Sequence, residues 1–263
     1  MSATLFYERG WCRFDYDAVV AAWTKRVLHA SRASVKSDDN RCWLRCGGTW
    51  FVGVNALPND TEGAIGNSGP LRGSVVEFIR DELKLTNFHW DRAQISVCYP
   101  GYPRPMATES ASAFQFRRRR DAAHVDGLLP QGPLRRRHLR EYHAFILGLP
   151  LLEYDARASP FVVWEGSHEL IRSALLERFE GLPPEQWCNE DVTDVYHQAR
   201  RRVFQTCQRV EISARPGEAY VAHRLIVHGV APWPDAVRAG TDGRMICYFR
   251  PDLGDPQQWL VGP

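Results

Sequence analysis

Residues 219–231, AYVAHRLIVHGVA, decide how this chain is to be read. AYVAH (219–223) and LIVHGVA (225–231) are two short apolar runs, rich in β-branched residues and closed by Gly229 and Pro232. Runs of that length bounded by turn residues are strands rather than helices. Working outward, RMICYF (244–249) follows as another strand, and QRVEIS (208–213) precedes across the turn ARPGE. Further upstream, PFVVWEG (160–166), HAFILGL (143–149), AQISVCY (93–99) and TWFVGVNA (49–56) read the same way. HAFILGL is apolar throughout, as a strand covered on both faces should be.

Helical spacing appears in four places. DYDAVVAAWTKRVLHA (15–30) puts Val19, Val20, Trp23 and Val27 on one face, with Asp15 or Asp17 as cap. LRGSVVEFIRDELKL (71–85) turns Val75, Phe78, Ile79 and Leu83 inward, with Ser74 as a candidate cap. ELIRSALLERFEGL (169–182) and DVTDVYHQARRRVF (191–204) form a helical pair set between strands. The expected architecture is one domain over 1–263, mainly β with flanking helices. It is a double-stranded β-helix, that is, a jelly roll or cupin-like barrel, over 90–251, with a helical insert at about 169–204 and an N-terminal flank over 1–90. Strand and helix do not alternate regularly, so a doubly wound sheet is disfavoured, and GxGxxG, GxxxxGK[ST] and GxSxG are all absent from the sequence.

Composition narrows the function classes. Of 263 residues, 44% are hydrophobic and 24% charged, and 33 Lys+Arg against 31 Asp+Glu give a net charge of +2. These are globular values, and the near-zero charge argues against a nucleic-acid partner. No apolar run reaches the ~18 residues of a membrane span. The first residues, MSATLFYERGWCRFD, carry charges where an export signal needs an apolar stretch. The seven cysteines are scattered, and the one close pair, Cys42 and Cys46, has no second pair to complete a zinc ribbon. A reduced, cytoplasmic protein is expected. Only Lys25, Lys36 and Lys84 are lysines, so the basic residues are almost all Arg, clustered at 117–120, 135–137 and 200–202. Arg grips carboxylates and phosphates with a paired fork, so the first two clusters, which flank His124 and Asp126 in sequence, would draw an anionic substrate.

Three features carry chemistry together. His124 and Asp126, in DAAHVDG (121–127), project from one face if that segment is extended. His228 lies 104 residues on, at the end of an apolar strand, and Arg244 opens the next one 16 residues later, which places the two on consecutive strands of one expected sheet. His223 and His168 are weaker candidates for ligands, His168 being better placed to organise the turn before the 169–182 helix. Two neutral imidazoles and one carboxylate make the facial arrangement of non-haem Fe(II) oxygenases, which leaves positions open for a bidentate co-substrate and O2. An Arg at the start of a buried strand needs a partner, and the far carboxylate of a dicarboxylate co-substrate would supply it.

HVDG (124–127), EGSHE (165–169), HRLIVHGVAP (223–232) and RMICYFRP (244–251) together resemble the Fe(II)/2-oxoglutarate-dependent dioxygenase superfamily, and within it the phytanoyl-CoA dioxygenase-like family. The resemblance covers roughly residues 90–251. It implies that His124, Asp126 and His228 hold iron and that Arg244 holds the 2-oxoglutarate C5 carboxylate. Arg238 has the more familiar spacing from His228, but it sits in the loop DAVRAGTDG; Arg250 ranks third. An aromatic residue near the co-substrate is implied at Tyr142 or His143, with His143 preferred. Trp164 and Trp233 flank the site in sequence and could line a pocket. The implied activity is hydroxylation of a C–H bond in a small organic substrate, with release of succinate and CO2. Two other readings use the same residues: a jelly-roll protein that binds small molecules without turnover, and a zinc-dependent hydrolase. The hydrolase leaves Arg244 without a task.

Overall fold

The computed structural model describes residues 3–86 and 88–262. Along the chain the strands are β1 (Trp11–Phe14), β2 (Leu44–Arg45), β3 (Trp50–Phe51), β4 (Gln94–Cys98), β5 (Leu128–Gln131), β6 (Arg136–Leu139), β7 (Phe145–Pro150), β8 (Phe161–Trp164), β9 (Arg209–Ile212), β10 (Ala219–His223), β11 (His228–Val230) and β12 (Arg244–Phe249). The helices are α1 (Ala3–Arg9), α2 (Ala18–Lys36), α3 (Ser74–Glu77), α4 (Ala111–Arg119), α5 (Ser167–Arg178), α6 (Thr193–Thr206) and α7 (Pro256–Val261).

The strands form an antiparallel sheet in the order β1-β10-β7-β12-β4-β3-β2, a smaller one, β11-β8-β9, and the hairpin β5-β6. Period-two alternation sets the layers. On β7 and β12, Phe145, Leu147, Leu149, Met245, Cys247 and Phe249 face one way and join Val20, Trp23 and Val27 of α2 in one core. Ile146, Ile246 and Tyr248 face the other way and meet Phe161 and Val163 of the small sheet. Beyond the small sheet, Val162 and Trp164 pack with α5, α6 and α7. The result is helix layer, large sheet, small sheet, helix layer, and the mainly β architecture with flanking helices is as expected.

Local chemistry explains several boundaries. Asp17, one of the two expected caps, accepts from Val19 N at 2.8 Å at the start of α2. Its other oxygen accepts from Ser74 N at 2.8 Å, so α3 is held by Asp17 while Gly73, not Ser74, is the cap residue. The 71–85 helix is shorter than its pattern suggested, passing from α3 into a π-helical turn over Phe78–Glu82.

Four expectations need correction. Segment 121–127 is not a strand, because Asp121 and Ala122 adopt left-handed φ values of 55° and 53°. Only Trp50 and Phe51 of the 49–56 run pair as a strand. Residues before 90 are more than a flank, since β1, β2 and β3 belong to the large sheet. His228 and Arg244 lie on consecutive strands but in different sheets. No helix among the described residues is long and apolar enough to cross a membrane. All seven cysteines are free.

Candidate metal centre and its cavity

The turn that spoils the expected strand also builds the site. Arg209 grips both oxygens of buried Asp121, at 2.7 and 3.0 Å, and Val230 N donates to the Asp121 carbonyl at 2.9 Å. The chain then reaches His124, which forms a single antiparallel rung with His228. Each backbone N–H donates to the other's carbonyl at 2.9 Å. The rings sit side by side, with centroids 4.5 Å apart. Gly127 follows at φ +85°, where a Cβ would run into the Glu141 carbonyl, so only glycine fits.

Both imidazoles are oriented by the same device. His124 Nδ1 lies 3.0 Å from the Ala122 carbonyl, and His228 Nδ1 lies 3.0 Å from the Ile226 carbonyl. A carbonyl only accepts, so each Nδ1 carries the hydrogen and each Nε2 keeps its lone pair. Those two lone pairs point at one oxygen: Asp126 Oδ1 is 3.2 Å from His124 Nε2 and 3.7 Å from His228 Nε2. One ligand atom from each residue lies within 4.8 Å of the others. Burial pushes the Asp126 carboxyl up, but Arg250 and the two imidazoles outweigh it and hold the group well below the carboxylate range. Burial also drives His228 down to about 4 against the pull of Asp126, so its ring is neutral at neutral pH. Neutral imidazole and ionised carboxylate are the forms that bind a metal.

The three side chains open onto a cavity of about 140 Å3 lined by Ser96, Ile146, Phe161, Tyr248 and Arg250. Tyr248 and Arg250 reach it by the alternation that begins in β12, and Ile246 and Arg244 share their face. Arg244 is 0% exposed and sits behind Tyr248, donating from Nη2 to its hydroxyl at 3.3 Å. Tyr220 donates to that same hydroxyl at 2.8 Å. The Nε and Nη1 of Arg244 have no hydrogen-bond partner among the described residues. A buried guanidinium with two idle N–H groups is costly, and it is the group a carboxylate would satisfy.

The structure thus brings His124, Asp126 and His228 together and sets Arg244 on the inward face of β12. It does not bring in His143, whose ring nitrogens are taken by the Arg250 carbonyl at 2.9 Å and by Glu141 at 3.0 Å, outside the cavity. Arg238 is exposed between β11 and β12. His223 accepts from Leu225 N at 3.0 Å and packs against His168 with ring centroids 4.8 Å apart, away from the centre. His168 is tied to the Tyr7 carbonyl at 2.8 Å. Trp164 lies in the core against the helices, and Trp233 packs in a core cluster with Tyr102. Two cavity residues escaped the sequence reading. Arg250, ranked only as a third co-substrate candidate, binds Asp126 Oδ2 at 3.1 Å. Trp50 lines the cavity from β3 and has no sequence signal.

No family model and no curated protein matches this chain. Solved structures do. SnoK, described as a non-heme alpha ketoglutarate dependent carbocyclase from nogalamycin biosynthesis, aligns over 95% of this chain and 83% of its own, at 14% identity and a TM-score of 0.55. EvdMO1 aligns over 95% of this chain, at 14% identity and a TM-score of 0.51. This chain spans 49% of that protein. The fold is therefore one that a non-heme alpha ketoglutarate dependent enzyme uses.

Proposed function

We propose that this chain is a non-haem Fe(II)- and 2-oxoglutarate-dependent oxygenase of the phytanoyl-CoA dioxygenase-like kind, and that its two facing sheets are the walls of a double-stranded β-helix. The observation that carries the reading is the pairing of a donor cluster at the cavity with a buried arginine behind its Tyr248 wall. Two Nε2 lone pairs and one carboxylate oxygen converge within 4.8 Å, and a buried arginine with two idle N–H groups stands on the same face of β12 as the cavity residues. The donor set fits Fe(II) in a facial site, and the arginine fits a buried carboxylate. The fold of SnoK supports both assignments.

Fe(II) with 2-oxoglutarate and O2 supplies the oxidation of a C–H bond, with succinate and CO2 as by-products. The protein's part is geometric and electrostatic. His124, Asp126 and His228 would hold the metal at the wall of the cavity. Arg244 neutralises the distal carboxylate of the co-substrate, and Tyr248 keeps that guanidinium aimed. Phe161, stacked on His228 with centroids 5.4 Å apart, and Ile146 exclude water from the inner wall. Hydroxylation of a small molecule is the proposed outcome; carbocyclisation, the reaction of the carbocyclase SnoK, is the neighbouring one.

Anaerobic titration with Fe(II) and 2-oxoglutarate tests this reading. A weak visible charge-transfer band that disappears in His124→Ala is expected. No band, together with tight zinc binding, would favour the hydrolase, and binding of neither metal would favour a protein without turnover.

A further inference from the structure

Outside the triad the cavity opens into a vestibule of about 810 Å3 that shares Trp50, His124, Asp126 and Arg250 with the inner chamber. Its far wall carries Arg137, His197 and Arg200. Arg200 donates to the Ala123 carbonyl at 3.1 Å and lies 4.6 Å from the Phe116 ring centroid and 5.2 Å from that of Tyr196. Arg137 donates to the Leu128 carbonyl at 2.6 Å and lies 5.4 Å from the centroid of that same Tyr196 ring.

Among the described residues, neither guanidinium has a carboxylate partner. Other arginines around the site do: Arg117 pairs with Glu109 at 2.8 Å, Arg209 with Asp121 at 2.7 Å and Arg250 with Asp126 at 3.1 Å. The acidic residues of the vestibule are already engaged, Asp126 by Arg250 and Glu141 by His143. The wall is therefore an uncompensated pair of cations, half withdrawn from water. Burial and the neighbouring Arg200 and Arg135 charges push Arg137 below its ordinary value, and burial with Arg200 and Arg137 does the same to His197. The vestibule lining also includes the apolar Val54, Phe116, Leu129 and Pro130, with Leu129 39% exposed.

We propose that the vestibule binds a substrate with an apolar body and one anionic head, a carboxylate or a phosphate, the head held by Arg137 and Arg200 and the body lying on Phe116 and Leu129. Planar guanidiniums already oriented by ring faces and carbonyls lose little freedom on taking up an oxyanion. The inference rests on the oxygenase reading for the fate of the bound molecule, but not for the anion site itself.

The test uses the full metal-free chain at low ionic strength and three probes of matched length: octanoate, octyl phosphate and neutral 1-octanol, titrated calorimetrically. At least one anion should bind tenfold or more tighter than octanol. Arg137→Gln and Arg200→Gln should each remove that preference and leave octanol binding unchanged, and Arg200→Lys should restore part of it. Arg118→Gln, on the exposed face of α4, should behave as the parent. Octyl phosphate outranking octanoate identifies a phosphate head, and the reverse a carboxylate. Equal binding of all three probes by the parent chain overturns the proposal even if a variant fails to fold. Unchanged anion binding in both folded Gln variants does so too. Anion preference without an Fe(II)/2-oxoglutarate band would sink the oxygenase reading and leave the anion site standing. A band without anion preference would do the opposite.

Discussion

Arg250 donates from Nη1 to Asp126 Oδ2 at 3.1 Å, and this leaves Oδ1 as the oxygen turned toward both histidines. The carboxylate is thereby fixed to offer one atom, and its second negative end is neutralised inside the protein.

Arg250→Met should therefore weaken metal binding. Loss of a hydrogen-bond partner that orients a ligand typically costs about 10–100-fold in affinity. Removing one member of a buried pair also destabilises a protein by about 3–5 kcal/mol, because the other charge is stranded. Zn(II) or Co(II) competition against a chelator measures the first effect and urea denaturation of the metal-free chain the second. Unaltered metal affinity would refute the role given to Arg250.

Arg244 should show the reverse pattern. Its guanidinium is buried with idle N–H groups, so Arg244→Met removes an uncompensated cost from the metal-free protein. Its stability should stay level or rise. Binding of 2-oxoglutarate to the Fe(II) protein should fall by about 100-fold or more, the scale of a charge-assisted, buried ion pair. A destabilised variant that still binds 2-oxoglutarate normally would contradict the assignment.

Acid should destabilise the metal-free chain well before carboxylates titrate. His168, His197, His223 and His228 are all held below the ordinary histidine value, chiefly by burial, with His228 at about 4. The unfolded chain protonates these groups near ~6.5 and the folded chain does not, so their contribution is full above that pH and is lost as pH falls toward the folded values. His143 runs the other way. Burial lowers it, but Glu141 outweighs burial and raises it, so its contribution is present in acid and fades as pH rises through the folded value. Four groups oppose one, and Tm should drop between neutral pH and about pH 5. A flat or inverted Tm profile over that interval would be the contrary result.

Gly148→Ala should cost stability by overpacking, about 1–3 kcal/mol. A Cβ there would enter the ring of Tyr220, which is 1% exposed and hydrogen-bonded to Tyr248 at 2.8 Å. Because Tyr248 in turn receives Arg244, the same change should weaken 2-oxoglutarate binding. Chemical denaturation and the anaerobic band check the two effects separately.

How much of this was legible in the sequence depended on which force fixed each element. β10 and β12 are apolar runs between turns, and their limits match the sequence reading. β5 and β6, LLPQ and RRHL, are short and polar or interrupted by proline, so nothing in their composition marks them. Segment 121–127 alternates in polarity like a strand, but the pattern arises from a left-handed turn clamped by Arg209, 88 residues away. His228 and Arg244 stood out as polar groups in or beside apolar runs, and His124 and Asp126 by their i, i+2 spacing. Arg250 was within reach of the same reasoning, since 244, 246, 248 and 250 share a face by simple alternation. The pairing that gives it a role crosses 124 residues and leaves no trace in local sequence.

The rung between His124 and His228 has one more consequence. The 104 residues separating the two imidazoles are gathered by backbone bonds, so the entropy of closing that loop is met during folding. An ion arriving later finds its grip already assembled and contributes little to keeping the polymer in shape. Chelation should silence such a centre and leave the architecture upright, in contrast to small zinc modules that fall apart when stripped.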